Sequence, residues 1–224
     1  MIGPEHYAHW RASAVGALTE RLEQDVTFDL SGDLHGRRVL DVGCGDGTYS
    51  ISACKRLARV IGIDSSAAML EAARDRAEEC SGSIEWCRAY AEELPFESNA
   101  FDVVIAVTAL CFVKDPQRAV QEAARVLRPG GILVIGELGR YSLWSFSRKI
   151  RGWLGSYWGE ARFWTVGEIR QLTDQAGLHF QVDRGSVYYP PIGWVARLLS
   201  RHSHVLSRLG QFGAAFLAIR ADKI

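Results

Sequence analysis

Two kinds of segment alternate between residues 37 and 136, and this alternation constrains the fold more than any other feature of the chain. Short runs rich in β-branched residues, such as 60–64 and 102–106, are followed by alanine-rich runs with helical spacing. Runs that are apolar along nearly their whole length are typical of parallel strands covered on both faces. Strands alternating with helices predict an α/β fold with a doubly wound sheet and right-handed crossovers.

The composition excludes several classes of protein. The 224 residues carry 26 Lys+Arg and 26 Asp+Glu, which argues against a globally basic nucleic-acid binder. No apolar run reaches the roughly 18 residues that a membrane span needs. The first residues lack the pattern of a secretory signal, and the five cysteines include no C-x-x-C pair. We therefore expect a cytoplasmic protein with reduced cysteines and no metal site, and the oligomeric state stays open.

A glycine-rich turn follows the first predicted strand. In VLDVGCGDG, residues 39–47, an apolar run ends in three glycines, and residues with helical spacing follow. Glycine has no Cβ, so a ligand can lie directly on such a backbone, although the turn alone is equally typical of a loop without a ligand. Asp64 ends the second strand, where a carboxylate accepts hydrogen bonds from the hydroxyls of an adenosine ribose. Together the two features predict an adenosine-containing ligand.

The spacing of the turn discriminates between two such ligands. It reads G-x-G-x-G, whereas a dinucleotide loop reads G-x-G-x-x-G and holds a pyrophosphate. Asp41 stands two residues before the first glycine, where a carboxylate repels a pyrophosphate and suits a cationic amine. S-adenosylmethionine (SAM) carries an ammonium group, a sulfonium and no phosphate. SAM is therefore favoured over NAD, and an NAD-dependent oxidoreductase is the least favoured function.

Four blocks of sequence resemble the class I SAM-dependent methyltransferases, and among them the small-molecule branch typified by the ubiquinone, menaquinone and biotin-pathway enzymes (methyltransferase type 11). The blocks are VLDVGCGDGTYS (39–50), VIGIDSSAAMLEAAR (60–74), AEELPFESNAFDVVIA (91–106) and ARVLRPGGILVIGE (124–137). The resemblance implies a Rossmann-like seven-stranded sheet, mostly parallel with an antiparallel last strand, with helices on both faces. It implies an enzyme that transfers a methyl group from SAM to a small-molecule acceptor by direct displacement.

The same resemblance implies one methyltransferase domain over residues 1–224. Its expected parts are an N-terminal helical cap, a cofactor-binding core, an aromatic and basic insertion, and the C-terminal part of the sheet, at 1–36, 37–137, 138–164 and 165–224. The insertion is interpreted as a lid over an anionic or quinone-like acceptor, or else as a fixed cover whose aromatics belong to the core. A basic amphipathic helix near 193–209 more often packs on its own domain, so we expect no membrane contact.

The resemblance also assigns roles to residues of the cofactor site. Asp41 and the backbone of 43–45 should hold the methionine portion, Asp64 the ribose, and the residues after strand four should face the sulfonium. The predicted set is Asp41, Gly43, Cys44, Gly45, Asp64, Ser65, Met69, Tyr90, Ala91, Glu92, Val107 and Thr108.

Tyr90 departs from the family pattern. The family usually has an aspartate at this position, which accepts a hydrogen bond from the adenine amino group. Here the Tyr90 hydroxyl or ring, or the nearby Glu92, would have to replace it. The departure keeps open a second function, that of a catalytically inactive SAM-binding sensor or scaffold.

Methyl transfer by displacement depends on alignment more than on acid–base groups. A base is required only when the acceptor must lose a proton, and His6, Tyr7 and Glu137 are candidates by their expected location. Tyr7 and Trp10 form a Tyr-x-x-Trp element that would cap the cofactor or merely pack on the sheet. No Asn/Asp-Pro-Pro-Tyr motif follows strand four, which argues against methylation of nucleic-acid bases.

Overall fold

The computed structural model describes residues 3–80, 84–153, 161–200 and 210–224. A seven-stranded sheet runs through these residues in the order β3-β2-β1-β4-β5-β7-β6. Its strands are β1 (Arg38–Val42), β2 (Arg59–Asp64), β3 (Ile84–Arg88), β4 (Phe101–Val107), β5 (Leu127–Leu138), β6 (His179–Ser186) and β7 (Phe216–Asp222). The first five strands pair in parallel, and β7 is antiparallel to both β5 and β6. The predicted mostly parallel sheet with an antiparallel last strand is confirmed.

Helices flank the sheet, and most begin at a residue that the sequence marks. They are α1 (Pro4–Ala12), α2 (Ala14–Ser31), α3 (Thr48–Cys54), α4 (Ala67–Arg76), α5 (Pro116–Val126), α6 (Leu143–Trp153), α7 (Val166–Gln175) and α8 (Gly193–Ser200). At α5 the Asp115 carboxylate accepts from the amide of Arg118 at 3.0 Å, and proline occupies the first turn. None of the described helices is long and apolar enough to cross a membrane.

The core lies on both faces of the sheet because the central strands are apolar on both sides. One cluster packs Leu40 and Val104 against α5 and α7, and the other packs Val39 and Ile105 against α2 and α3. This burial explains why the strands read as continuous apolar runs. The strand order reverses between β1 and β4, so the carboxyl ends of these strands open a crevice where ligands bind in such sheets.

The N-terminal helical region contains a corner that the sequence did not predict. Ser13 is extended, separates α1 from α2, and its hydroxyl accepts from the amide of Gly16 at 3.0 Å. A Cβ at Gly16 would overlap the carbonyl oxygen of Trp10, so only glycine lets the two helices meet at this angle. The corner turns α1 back over the crevice.

In the described part of the aromatic segment 138–164, some aromatic side chains are buried and others, such as Tyr141 and Phe146, are exposed. Trp144 and Trp164 are buried, and the indole nitrogen of Trp144 donates to the carbonyl of Tyr189 at 2.6 Å. The guanidinium groups of Arg148 and Arg162 lie over these two indole rings. Tyr157 and Trp158 fall outside the described residues, as does the predicted helical stretch 201–209. The lid stays a prediction.

Candidate active site

A cavity of about 620 Å³ opens at the carboxyl ends of β1, β2 and β4. Its walls are the turn after β1, the ends of β2 and β4, the segment after β3, and the helices α1 and α2. This volume is within the range of small-molecule sites. Of the predicted cofactor residues, the structure brings Gly43, Cys44, Gly45, Asp64, Ser65, Met69, Tyr90, Ala91, Glu92, Val107 and Thr108 together on these walls.

The three glycines of the turn are needed for two different reasons. All three have left-handed φ angles, between 54° and 83°. A Cβ at Gly43 would lie 2.7 Å from Cβ of Ala109, and one at Gly47 would lie 2.8 Å from the ring of Trp86. Gly45 has no neighbouring atom within 4 Å of such a Cβ, so its backbone faces open cavity. A ligand can approach the chain closely there.

Asp64 joins the turn to the next helix. Its Oδ2 accepts from the amide of Gly45 at 3.0 Å and its Oδ1 from the amide of Ser66 at 2.8 Å. A carboxylate oxygen can accept more than one hydrogen bond, so capacity remains on the side that faces the cavity. Asp64 is therefore fixed in place and still able to accept from ligand hydroxyls.

Asp41 is the one predicted cofactor residue that the structure places apart from the others. Its side chain is buried behind the turn, where Oδ2 accepts from the hydroxyl of Ser50 at 2.6 Å. Burial raises the pKa of Asp41 to about 7, with a smaller increase from the charge of Asp64, and the Ser50 hydrogen bond opposes both. The geometry supports the turn from behind and does not bring the carboxyl to the cavity wall.

Tyr90 and Glu92 occupy the rim of the cavity after β3. The Tyr90 side chain is 65% exposed, so its ring and hydroxyl are available to a ligand. Glu92 is already engaged, because its Oε1 accepts from the backbone amide of Lys114 at 3.2 Å. Between the two predicted replacements for the family's aspartate, this geometry favours Tyr90.

Thr108 directly follows β4 and has a left-handed conformation, with φ of 48°. Its amide donates to the carbonyl of Gly136 at 2.7 Å, which holds the residue there. For a β-branched residue this conformation costs about 1–3 kcal/mol, and such strain is concentrated at functional sites. The strained residue turns the end of β4 toward the cavity.

The three predicted catalytic candidates separate in the structure. Tyr7 lines the cavity, and its hydroxyl faces the side chain of Thr108. His6 is exposed on α1 and is not on the cavity wall. Glu137 is fully buried beneath the end of β4, where Oε1 accepts from the amide of Leu110 at 2.7 Å. Burial raises the pKa of Glu137 to about 8. Only Tyr7 is placed to touch a ligand.

Two acids of α2 line the cavity and were missed by the sequence analysis. Glu20 and Glu23 are three residues apart and share one helix face. The same face continues into the buried residues Gly16 and Thr27, so it points toward the protein and not toward solvent. The sequence signal for these two residues was an acid at a position on the inward-facing side of an amphipathic helix. Trp10, from the predicted Tyr-x-x-Trp element, also lines the cavity.

Other lining residues were not predicted, among them Asp46, Thr48, Tyr49, Phe112, Val113 and Lys114.

A cluster of ion pairs connects α1 and α4 to the glycine turn. Asp46 is buried in the turn and pairs with Arg11 of α1 and with Arg76 of α4, whose Nη1 lies 2.7 Å from Oδ1. Arg11 also donates to the hydroxyl of Thr48 at 2.7 Å, and it lies 3.6 Å from Glu20. Buried pairs of this kind fix geometry more than they add stability. Because no residue of α1 is fully buried, this cluster and the Ser13 corner hold α1 over the cavity.

Comparison with known proteins yields a consistent set of relatives. Residues 40–135 match a family model described as a methyltransferase domain. The chain is 32% identical over 195 residues to the ubiquinone biosynthesis O-methyltransferase of Cereibacter sphaeroides, across 82% of this chain and 77% of that protein. It is 38% identical over 120 residues to the enzyme of the same name from Alkalilimnicola ehrlichii, across 53% of this chain and 49% of that one.

Solved structures show the same likeness. A SAM-dependent methyltransferase from Thermotoga maritima, described as a possible histamine N-methyltransferase, superposes with a TM-score of 0.75 at 25% identity, across 98% of this chain and 96% of that one. A SAM-dependent methyltransferase from Aquifex aeolicus superposes with a TM-score of 0.71 at 16% identity over the whole of both chains, which supports the fold alone.

Proposed function

Because this chain belongs to the SAM-dependent methyltransferases of the small-molecule type, we propose that it methylates a hydroxyl oxygen of a small, phenol-like acceptor. The enzyme class and the cofactor follow from the family: the protein is a methyltransferase and its methyl donor is SAM. The choice of oxygen rests on the relatives, which are named as O-methyltransferases of ubiquinone biosynthesis.

The residues of the cavity fit SAM. The observation that carries the assignment is the fixed carboxylate of Asp64 beside the open backbone of Gly45, which suits a ribose that lies against the chain. Ser65, Met69 and Tyr90 lie around the same end and would surround the adenine. SAM supplies a methyl group on a positively charged sulfur.

The opposite end of the cavity supports a small acceptor. The remaining walls of the cavity include the aromatic side chains of Tyr7, Trp10 and Phe112, together with the acids of α2. Aromatic walls suit a planar ring. The chain as a whole has no net positive charge, so we infer that nucleic acid is not an acceptor. A cytoplasmic location is supported by the cysteines, all five of which are thiols.

Residues of the cavity wall would position the reacting groups during methyl transfer. Val107 ends β4 and Thr108 follows it; both line the cavity and would align the acceptor oxygen with the methyl group. Alignment of this kind accounts for roughly 7–11 kcal/mol of barrier reduction in favourable cases. Tyr7 and Trp10 would exclude water from the aligned pair, because α1 covers this end.

The test combines binding and transfer. Calorimetry should show that the protein binds SAM and its demethylated product, S-adenosylhomocysteine. Methyl-labelled SAM should then transfer label to catechol or to related phenols, and the product should be an ether that resists mild base. Failure to bind either nucleoside, or transfer only to amines, would contradict the proposal.

A further inference from the structure

Helix α2 places two carboxyl groups in the cavity wall, but their surroundings differ. Glu20 lies 3.6 Å from the guanidinium of Arg11, so its charge is partly balanced within the ion-pair cluster. Within the described residues, no hydrogen bond reaches the side chain of Glu23. Glu23 is thus a cavity acid whose oxygens are left for a ligand.

The groups that face Glu23 come from every neighbouring element. They are Tyr7 of α1, Glu20 of its own helix, Tyr49 of α3, Arg148 of α6 and Tyr189 of the segment after β6. Burial dominates and raises the pKa of Glu23 to about 8; the positive charge of Arg148 lowers it and the charge of Glu20 raises it. Burial raises the pKa of Tyr7 and of Tyr49 above the ordinary range for tyrosine, so these hydroxyls keep their protons.

The position of Glu23 relates it to the end of β4. The hydroxyl of Tyr7 faces both the Thr108 side chain and the charge of Glu23, so these three residues lie at the same end of the cavity. Asp41 and Glu137 also have raised pKa values, but neither lines the cavity. Glu20 lines the cavity too, but its carboxylate is paired with Arg11. Glu23 is therefore the cavity acid left to touch the acceptor.

We propose that Glu23 accepts the proton of the acceptor hydroxyl, and that binding of the positively charged cofactor prepares Glu23 by displacing its own proton. The proposal rests on the proposed O-methyl transfer. The hydroxyl proton passes to the Glu23 carboxylate while a lone pair of the oxygen forms the new O–C bond. The C–S bond breaks with its electron pair staying on sulfur, so a neutral sulfide results. The proton on Glu23 leaves to solvent once the products have left.

The two cofactor forms provide a direct test that needs no acceptor. SAM carries a sulfonium, and S-adenosylhomocysteine carries a neutral sulfide in its place. A positive charge in the cavity favours the Glu23 carboxylate and lowers its pKa. At a pH of about 7.5, a carboxyl that is mainly protonated beforehand should release up to about one proton when SAM binds. The product cofactor should release far less.

Calorimetry in two buffers with different protonation enthalpies counts these protons. Wild-type protein should release more protons with SAM than with S-adenosylhomocysteine, and Glu23→Gln should abolish the difference. Asp25→Asn is the matched control, since it removes an exposed acid from the same helix, and it should keep the difference. Equal proton release for the two nucleosides in the wild type, or an unchanged difference in Glu23→Gln, would overturn the proposal. Failure of the proposed function differs, because either neither nucleoside would then bind the wild type or the methyl label would pass only to amines.

A kinetic comparison tests the proton transfer itself. With catechol, Glu23→Gln should lower kcat about 100-fold and change KM little, because general-base assistance is lost. With nitrocatechol, whose more acidic hydroxyl ionises near neutral pH without help, the loss should be only a few-fold. Equal losses with the two acceptors would overturn the proposal. The proton count tests the displacement of the Glu23 proton by SAM even when neither compound is methylated.

Discussion

The two ends of the cavity are built in different ways. At the adenosine end, strand termini and a glycine turn present backbone amides and the fixed carboxylate of Asp64. At the acceptor end, side chains of α1 and α2 form the wall, and α1 has no fully buried residue of its own. A site made of backbone and strand ends is rigid and suits a cofactor common to many enzymes. A wall made of helical side chains can change its chemistry without disturbing the sheet, which suits an acceptor particular to one enzyme.

The largest effect on cofactor affinity is expected from a substitution at the adenosine end. Asp64→Ala removes the acceptor for the ribose and also for the amides of Gly45 and Ser66. Charge-assisted hydrogen bonds contribute about 1.5–3 kcal/mol each, so affinity for S-adenosylhomocysteine should fall about 100-fold or more. Titration calorimetry measures this loss. Asp75→Ala, an exposed acid on α4, should bind normally, and a normal affinity in Asp64→Ala would place the ribose elsewhere.

A smaller effect tests whether the ligand lies on the turn. Gly45→Ala puts a methyl group into open cavity at a φ of 54°, and Gly36→Ala puts one into open space at a φ of 72° away from the cavity. Both variants should lose similar stability, about 1 kcal/mol, since both strain the backbone. Only Gly45→Ala should weaken cofactor binding, about tenfold, because its methyl group occupies ligand space. Thermal unfolding and calorimetry separate the two effects, and equal affinities would contradict close approach at Gly45.

A few-fold effect is expected when α1 is released from the turn. Arg11→Ala removes the pairs with Asp46 and Glu20 that hold α1 over the cavity. We expect faster amide exchange in α1 with little change in β1 and β4, and a rise of about three- to tenfold in the acceptor KM. Hydrogen exchange followed by mass spectrometry measures the change in amide exchange. Arg21→Ala, which removes an exposed arginine of α2, is the control; identical exchange in the two variants would show that the cluster does not hold α1.

The smallest effect concerns pH and the carboxyl behind the turn. The folded-state pKa of Asp41 is about 7, above its ordinary value of 3.8, so the folded protein binds more protons than the unfolded chain between these values. The contribution of Asp41 to stability is therefore greatest at low pH and declines as pH rises toward 7. Asp41→Asn should make the free energy of unfolding fall less steeply as pH rises. The change in slope should correspond to up to about one bound proton, as measured by urea unfolding at several pH values.

A second variant sharpens this pH test. Ser50→Ala removes the hydroxyl that donates to Asp41 and should extend the decline to higher pH, because the carboxylate loses a stabilising hydrogen bond. A stability curve that is the same in the wild type, Asp41→Asn and Ser50→Ala would show that Asp41 does not titrate in this range. Asp41 would then be ionised throughout, and the turn would rest on a buried charge.

The adenosine end could be predicted because its signals are local. The apolar runs of β1 and β2, the glycines of the turn and Asp64 follow one another within short stretches, and the geometry of a parallel sheet brings strand ends together. Asp41 belongs to the same stretch, yet the structure turns its carboxyl to Ser50. Side chains alternate along a strand, but sequence alone does not say how the chain leaves that strand at the turn.

The acceptor end could be predicted only in part. Tyr7 and Trp10 formed a recognisable element, but the choice between capping the cavity and packing on the sheet depended on the corner at Ser13. Glu20 and Glu23 have the appearance of ordinary surface acids in a helical pattern. Their inward direction became clear only when the helix was placed against the sheet, with Thr27 of the same face buried.

The sequence by itself determined the α/β sheet, the glycine turn and the cofactor, because periodicity and glycine act through the backbone over a few residues. The tertiary structure decided which acids are buried and what surrounds them. Glu23 and Glu137 owe their raised pKa values to burial by elements far away in the chain, and Asp41 lies apart from the cavity although its neighbours line it. Desolvation depends on all the atoms around a group, whichever part of the sequence supplies them, so it is a property of the packed molecule.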